Sequence, residues 1–350
     1  MKAAQIVAPK EPLELKDLEI PKPKEFEVVL KVKAVGVCHS DLHLWEGGYD
    51  TGSGTFMKAT DRGVKFPVTP GHEVVGSVTQ IGTSVSGIKI GDQVLVYPWI
   101  GCGICPACKV GNENLCDTPR SLGVFQNGGY AEYVLIPHFK YLIKISGIDL
   151  EGAASLACSG LTAFTAVKKT NAGPQEFLVI IGAGGLGLMA IQIAKAITKS
   201  IVINVDLDDN KLEAAKKMGA DHVVNSKSPD IVQKIISICN GKGAESVIDF
   251  VNAPPTVKMG LAILRKRGNL VLVGLFGGSA EIVLPTIPLK AITIQGAYTG
   301  NYQDLVELVE LAKSGVINPI ISKRYSIAQA NSALEDLKQG KIIGRAVINP

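Results

Sequence analysis

Four cysteines crowd one stretch of the chain, Cys102, Cys105, Cys108 and Cys116 in GCGICPACKVGNENLC. A CxxCxxC run with a fourth cysteine eight residues later, threaded with glycine and proline, can aim four sulfurs at one ion, which is the ligand set of a closed tetrahedral zinc site. Disulfides and an iron–sulfur cluster are the alternatives. The odd total of seven cysteines and an N-terminus without a secretory h-region argue against the first, and the spacing lacks the usual ferredoxin register. With all four positions filled by protein, this zinc is structural and any chemistry belongs elsewhere.

Three further places offer reactive groups. An apolar run from Val28 to Val37 ends in Cys38, His39, Ser40, Asp41, Leu42 and His43; Gly71, His72 and Glu73 supply a second histidine and a carboxylate; Cys158 follows much later. Taken singly, Cys38 and Cys158 read as core residues and His72 as a turn residue. Taken together they offer Cys, His and Cys, a triad that leaves zinc one open position for a substrate.

Phe177 to Gly187 reads FLVIIGAGGLG, an apolar strand entering Gly182-x-Gly184-x-x-Gly187, with Gly185 and Leu186 opening the helical pattern that follows. The first glycine permits the tight turn, the second lets the backbone approach a pyrophosphate, and the third lets helix pack on strand. The next apolar run, IVINVD, ends at Asp206, where a carboxylate accepts hydrogen bonds from ribose hydroxyls and repels a 2′-phosphate; NAD is favoured over NADP.

These residues need elements to hold them. From residue 26 to about 145, short β-rich runs are broken by glycine, as in EVVLKVKAVGV and GHEVVGSVTQIG, an all-β texture. After about residue 150, strands alternate with longer helical patterns, which implies βαβ units and a parallel sheet. With 350 residues, 46% hydrophobic and 19% charged, the chain suits two domains of an α/β protein. A net charge of +4 without any dense basic block gives no footprint for nucleic acid. No run reaches the length of a membrane span, and reduced thiols fit a cytoplasmic location.

The ordered set GVCHSDLH, GHEVVG, the four-cysteine loop, GDQV and GAGGLG resembles the zinc-dependent medium-chain alcohol dehydrogenases over essentially the whole chain, and is most similar to the bacterial and archaeal tetrameric members. The resemblance implies a GroES-like catalytic domain (1–155), a Rossmann NAD-binding domain (156–295) and a C-terminal return to the catalytic domain (296–350). It implies Cys38, His72 and Cys158 as catalytic zinc ligands, with Glu73 beside or transiently on the metal. Asp41 orients the histidine, and Ser40 and His43 relay a proton. His39 lies near the cofactor phosphates, while Thr162, Lys211 and Arg345 touch nicotinamide, adenine ribose and pyrophosphate. The implied reaction is reversible oxidation of a primary or secondary alcohol, with hydride passing from a zinc-bound alkoxide to NAD, in a homotetramer or a dimer. Trp99 and Leu122 are expected to line an apolar substrate pocket, and the polar stretch 49–65 reads as a lid or a surface loop. The rivals are a threonine or polyol dehydrogenase of the same family, or a non-catalytic nucleotide sensor.

Overall fold

The structure, a computed structural model, describes every residue except Ser53, which lies within the 49–65 stretch. It falls into two compact units, Met1–Tyr49 with Met57–Leu161 and Gly300–Pro350, and Asp50–Phe56 with Thr162–Thr299. The boundaries expected at 156 and 296 thus lie at Thr162 and Gly300. Asp50–Phe56 groups with the second unit because backbone meets backbone there: a Cβ on Gly52 would lie 2.6 Å from the carbonyl carbon of Gly278. Nothing in that polar sequence announced the contact.

The first unit is built on the strand Val28–Val37. Its Val and Leu residues are buried while Lys31 and Lys33 point to water, the alternation that pins a half-buried strand to one register. It pairs antiparallel with Glu73–Ile81, Tyr133–Ile136 and Arg345–Asn349, at the centre of a sheet that Ile321–Ser326, Gln93–Val96 and Leu142–Lys144 extend. Gly36 stands opposite Glu73 and Val37 opposite Ala346. One end of the sheet therefore collects Cys38, Glu73 and Arg345 from three strands distant in sequence.

The second unit holds six parallel strands in the order His222–Asn225, Ile201–Asp206, Phe177–Ile181, Ala244–Asp249, Leu264–Leu272, Thr293–Gly296. This is the doubly wound order 3-2-1-4-5-6, whose reversal between the first and fourth strands opens a crevice at their carboxyl ends. Val179, Ile203, Val205, Val247 and Leu270 are buried in its core, as is Cys239, the expected fate of a cysteine outside both metal sets. The helical stretch Leu150–Thr170 has the length and apolarity of a membrane span, but it is mostly buried inside the protein, as a core helix is.

Candidate metal centres and nucleotide site

The four-cysteine loop closes on itself. Cys102, Cys105, Cys108 and Cys116 bring their sulfurs within 4.8 Å of one another. The Cys102 N–H donates to Cys116 Sγ at 3.2 Å, the Cys105 N–H to Cys102 Sγ at 3.4 Å and the Thr118 N–H to Cys116 Sγ at 3.4 Å. Such donors favour thiolate over thiol. The N–H groups of Ile104 and Cys105 accordingly bring the Cys102 thiol down to about 6, while burial pushes Cys108 up to about 12. A dication resolves that tension by holding all four as thiolates, so the donor set fits zinc. The loop's base is pinned by Glu113, which the sequence reading missed: its carboxylate accepts from Gly101 N–H at 2.8 Å and from the Tyr141 hydroxyl at 2.7 Å, and pairs with Lys140 at 2.8 Å.

The second cluster joins Cys38, His72, Glu73 and Cys158, all buried, with one ligand atom of each within 4.8 Å of the others. Cys38 is the N-cap of the helix His39–Glu46, and Asp41 at its third position accepts the Cys38 N–H at 3.0 Å. The same carboxylate takes the Gly71 N–H at 3.1 Å and the Tyr130 hydroxyl at 3.3 Å. One capping residue thus ties both ligand-bearing segments together. Asp41 Oδ1 lies 3.2 Å from His72 Nδ1, yet among the described residues neither nitrogen of the fully buried His72 ring makes a hydrogen bond of normal geometry. Orphaned buried polar atoms are costly; beside two cysteines they fit a metal ion as their partner. Cys38 Sγ and Cys158 Sγ are 3.8 Å apart, and their mutual hydrogen bond draws the Cys38 thiol well below its ordinary value and pushes Cys158 well above, a shared proton that a cation would replace.

Cys158 sits in a π-helical turn, Leu156–Gly160, a widening that re-aims side chains at functional sites. There the Ser159 N–H donates to Glu73 Oε1 at 3.1 Å, and the Ser159 hydroxyl donates to Ser155 O at 2.8 Å. Arg345, which the resemblance implies as a pyrophosphate contact, stands in the same cluster. It is 4% exposed, its Nε donates to Ser159 Oγ at 3.0 Å, and its Nη2 is paired with Glu73 Oε1. A guanidinium so committed points into the metal cluster. Burial pushes Glu73 up to about 7 even against the Arg345 charge.

The relay residues share the helix His39–Glu46. Ser40 Oγ lies 3.9 Å from Cys38 Sγ. His43, three positions on, is half-buried, lies 3.7 Å from Glu46 and packs its ring 4.7 Å from that of Tyr49; burial holds its pKa below the ordinary imidazole value. His39 is exposed at the helix start. Trp99 donates its indole N–H to Ala157 O at 3.2 Å and stands 5.3 Å from the His72 ring, beside the cluster. Leu122 has no accessible surface. It is a core residue, not a pocket wall.

In the second unit Gly182 takes φ 99°, a conformation that side chains resist. A Cβ on Gly187 would lie 1.9 Å from Gly182 O, whereas one on Gly184 would meet nothing within 4 Å, which leaves room for a ligand to approach the backbone there. Gly185 and Leu186 start the helix Gly185–Ile197, whose first-turn N–H groups have no side-chain cap and face the same opening. Asp206 accepts the Ala183 N–H at 2.7 Å and the Asp208 N–H at 3.0 Å. Lys211 is half-buried in the first turn of Asp209–Lys217, and Thr162 is buried in the first turn of Leu161–Thr170.

Residues 24–147 match the family model of the alcohol dehydrogenase GroES-like domain, and residues 185–314 that of the zinc-binding dehydrogenases. An NAD-dependent alcohol dehydrogenase of Sulfurisphaera tokodaii is 44% identical over all of both chains. Among solved structures, the alcohol dehydrogenase of the archaeon Aeropyrum pernix superposes with a TM-score of 0.91 at 33% identity, covering all of both chains. The D-arabinose dehydrogenase of Sulfolobus solfataricus superposes with 0.84 at 28% identity, over 100% of this chain and 99% of that one.

Proposed function

The chain belongs to the zinc-dependent medium-chain alcohol dehydrogenase family, and we propose that it catalyses the reversible, NAD-linked oxidation of primary or secondary alcohols to aldehydes or ketones. The observation that carries this reading is the buried Cys38, His72, Cys158 set with its orphaned imidazole nitrogens, in a chain that also carries the glycine turn and Asp206.

Cys38, His72 and Cys158 would hold the catalytic zinc, leaving one position for the substrate oxygen, and Cys102, Cys105, Cys108 and Cys116 the structural one. When bound, the catalytic metal supplies Lewis-acid polarisation of the alcohol oxygen and the nicotinamide supplies the hydride acceptor. The chain's own residues do the rest. Asp41 fixes the Cys38 and Gly71 backbones, and through them the ligands. Ser40 accepts the hydroxyl proton of the substrate and hands it towards His43, whose depressed basicity keeps it neutral and able to receive. Trp99 walls the site with an apolar face and excludes water. Gly182, Gly184 and Gly187 seat the pyrophosphate over the helix start; Asp206 takes the adenosine ribose, with Lys211, Thr162 and His39 as further contacts.

The protein works on a small molecule in a reducing, cytoplasmic setting, with neither nucleic acid nor membrane as partner, and assembles as a homotetramer or dimer. Support for self-association is an exposed apolar set in the second unit, Phe276, Val283, Leu284 and Leu289, each about 70% exposed or more, in the segment that leads into the edge strand Thr293–Gly296.

NAD-linked turnover over a panel of linear, secondary, benzylic and polyol alcohols and threonine, each repeated after chelation of the catalytic metal, tests the reading. Chelator-sensitive activity that peaks on simple or benzylic alcohols is expected. Activity confined to polyols or threonine would reassign the substrate, and none at all would leave a nucleotide sensor.

A further inference from the structure

Asn204 takes no part in the chemistry described above, yet it sits where a polar side chain needs a reason. In the strand Ile201–Asp206 it is the one polar residue before Asp206, and it is fully buried, as are Ile203 and Val205 on either side. An amide in such a place is unfavourable unless it is hydrogen-bonded. Its Nδ2 donates to Ile180 O at 3.0 Å and to Gly182 O at 3.2 Å, while its Oδ1 has no hydrogen-bond partner among the described residues. Both acceptors are carbonyls, so the nitrogen is the end that faces them. A valine would fill the position without an orphaned oxygen. What the amide adds is a hold on the strand Phe177–Ile181 and on the glycine turn beyond it.

That hold has a definite target. The carbonyl of Gly182 and the N–H of Ala183 belong to one planar peptide unit. Asn204 takes the carbonyl end, and Asp206 Oδ2 takes the N–H end at 2.7 Å. Side chains two positions apart on a strand share a face, which is how one strand reaches both ends. Between them, Val205 O accepts the Gly182 N–H at 2.7 Å. Three consecutive residues thus fix the turn in which Gly182 takes φ 99°. The helix start closes on the same carbonyl, since a Cβ on Gly187 would lie 1.9 Å from it. A reversed peptide would set its oxygen against the Asp206 carboxylate, and a partial rotation would displace Ala183 and Gly184 from the opening.

We infer that Asn204 is a positioning residue for the dinucleotide: by fixing the Gly182–Ala183 peptide it pre-sets the backbone that receives the pyrophosphate. Asp206 shares the task but brings a charge. Asn204 is neutral and acts alike on NAD and NADP. The inference rests on the reading of Gly182 to Gly187 as a dinucleotide turn.

The test compares full-length, metal-loaded wild type with Asn204→Val and Asn204→Ala, folding checked by circular dichroism. NAD, NADP and ADP-ribose are titrated by calorimetry, and adenosine by competition with ADP-ribose. The dissociation constants of the three pyrophosphate ligands are expected to rise together, by about tenfold, for one lost hydrogen bond and a loosened turn. Adenosine, which lacks the pyrophosphate, is expected to change by less than about twofold. Folded variants that bind ADP-ribose as the wild type does overturn the inference. An equal loss for adenosine does so too, since it marks damage to the whole crevice, as does an NAD to NADP ratio shifted beyond about threefold, since the effect would then run through the Asp206 charge. Hydrogen exchange in the cofactor-free wild type needs no variant. Residues 178–187 are expected to exchange as slowly as the strands beside them and to slow little further with NAD; fast exchange that NAD suppresses would show a turn ordered by its ligand and overturn the inference. Wild-type protein that binds neither NAD nor ADP-ribose would instead sink the dinucleotide reading on which the inference stands.

Discussion

Asp206 carries two tasks with one carboxylate. On the proposed reading it repels a 2′-phosphate, and it also holds the Ala183 N–H at 2.7 Å, inside the glycine turn. Removing the whole side chain would confound the two. Asp206→Asn keeps an acceptor for Ala183 and removes the charge. Its ratio of NADP to NAD efficiency is expected to rise about tenfold, one lost charge interaction at the ribose; Asp206→Ala is expected to lose NAD efficiency further because the turn is untied. Steady-state kinetics with both cofactors decide it, and an unchanged ratio in Asp206→Asn would show that the ribose is read elsewhere. At this scale the sequence was most legible where residue types are chemically uncommon. Cysteines at fixed spacing and a glycine fingerprint announce themselves. Arg345 did not, since an arginine is read by its partner, and Glu73 lies 272 positions away.

Among the elements, the β-rich and alternating textures separated the two halves because period-2 alternation and strand–helix alternation follow directly from which faces are buried. The π-helical turn at Leu156–Gly160 left no such trace, being a one-residue widening in a helix of mostly small and apolar residues, yet it directs the Ser159 N–H at Glu73. Glu113 was equally silent, one acid among the polar residues of a loop. Its pKa sets the direction of a test. Burial would raise it, but Lys140, the Gly101 N–H and the Tyr141 hydroxyl hold it below its ordinary value of 4.5. The folded state thus binds this proton less readily than the unfolded one; the stabilisation is fully present above about 4.5 and is lost as pH falls through the folded-state value. Glu113→Gln is expected to cost about 1 kcal/mol at neutral pH, discounted for partial exposure, with the deficit vanishing in acid. Denaturant melts of wild type and variant across that range check it. A deficit independent of pH would mean that the carboxylate's charge contributes nothing to the loop.

At the scale of the molecule, the proposed reaction divides between the units: ligands and relay in the first, glycine turn and Asp206 in the second. The first unit is completed by the C-terminal strand Arg345–Asn349, which pairs with Val28–Val37 and brings Arg345 to Glu73. That return was legible only through the family resemblance, because hydrophobic periodicity cannot tell which sheet a terminal strand joins. The grouping of Asp50–Phe56 with the second unit was not legible at all, since it rests on backbone approach at Gly52 and Gly277 and not on apolar patterning. The claim that joins both units is that a metal at Cys38, His72 and Cys158 drives an NAD-linked oxidation. The most direct test compares zinc content and alcohol-dependent NAD reduction in the wild type and in Cys38→Ala. The account predicts two zinc ions per wild-type chain, one for each buried or looped ligand set. It predicts that the variant stays folded, retains the four-cysteine zinc alone and loses turnover by at least about a thousandfold. Wild-type turnover in Cys38→Ala, or an undiminished zinc content, would contradict it.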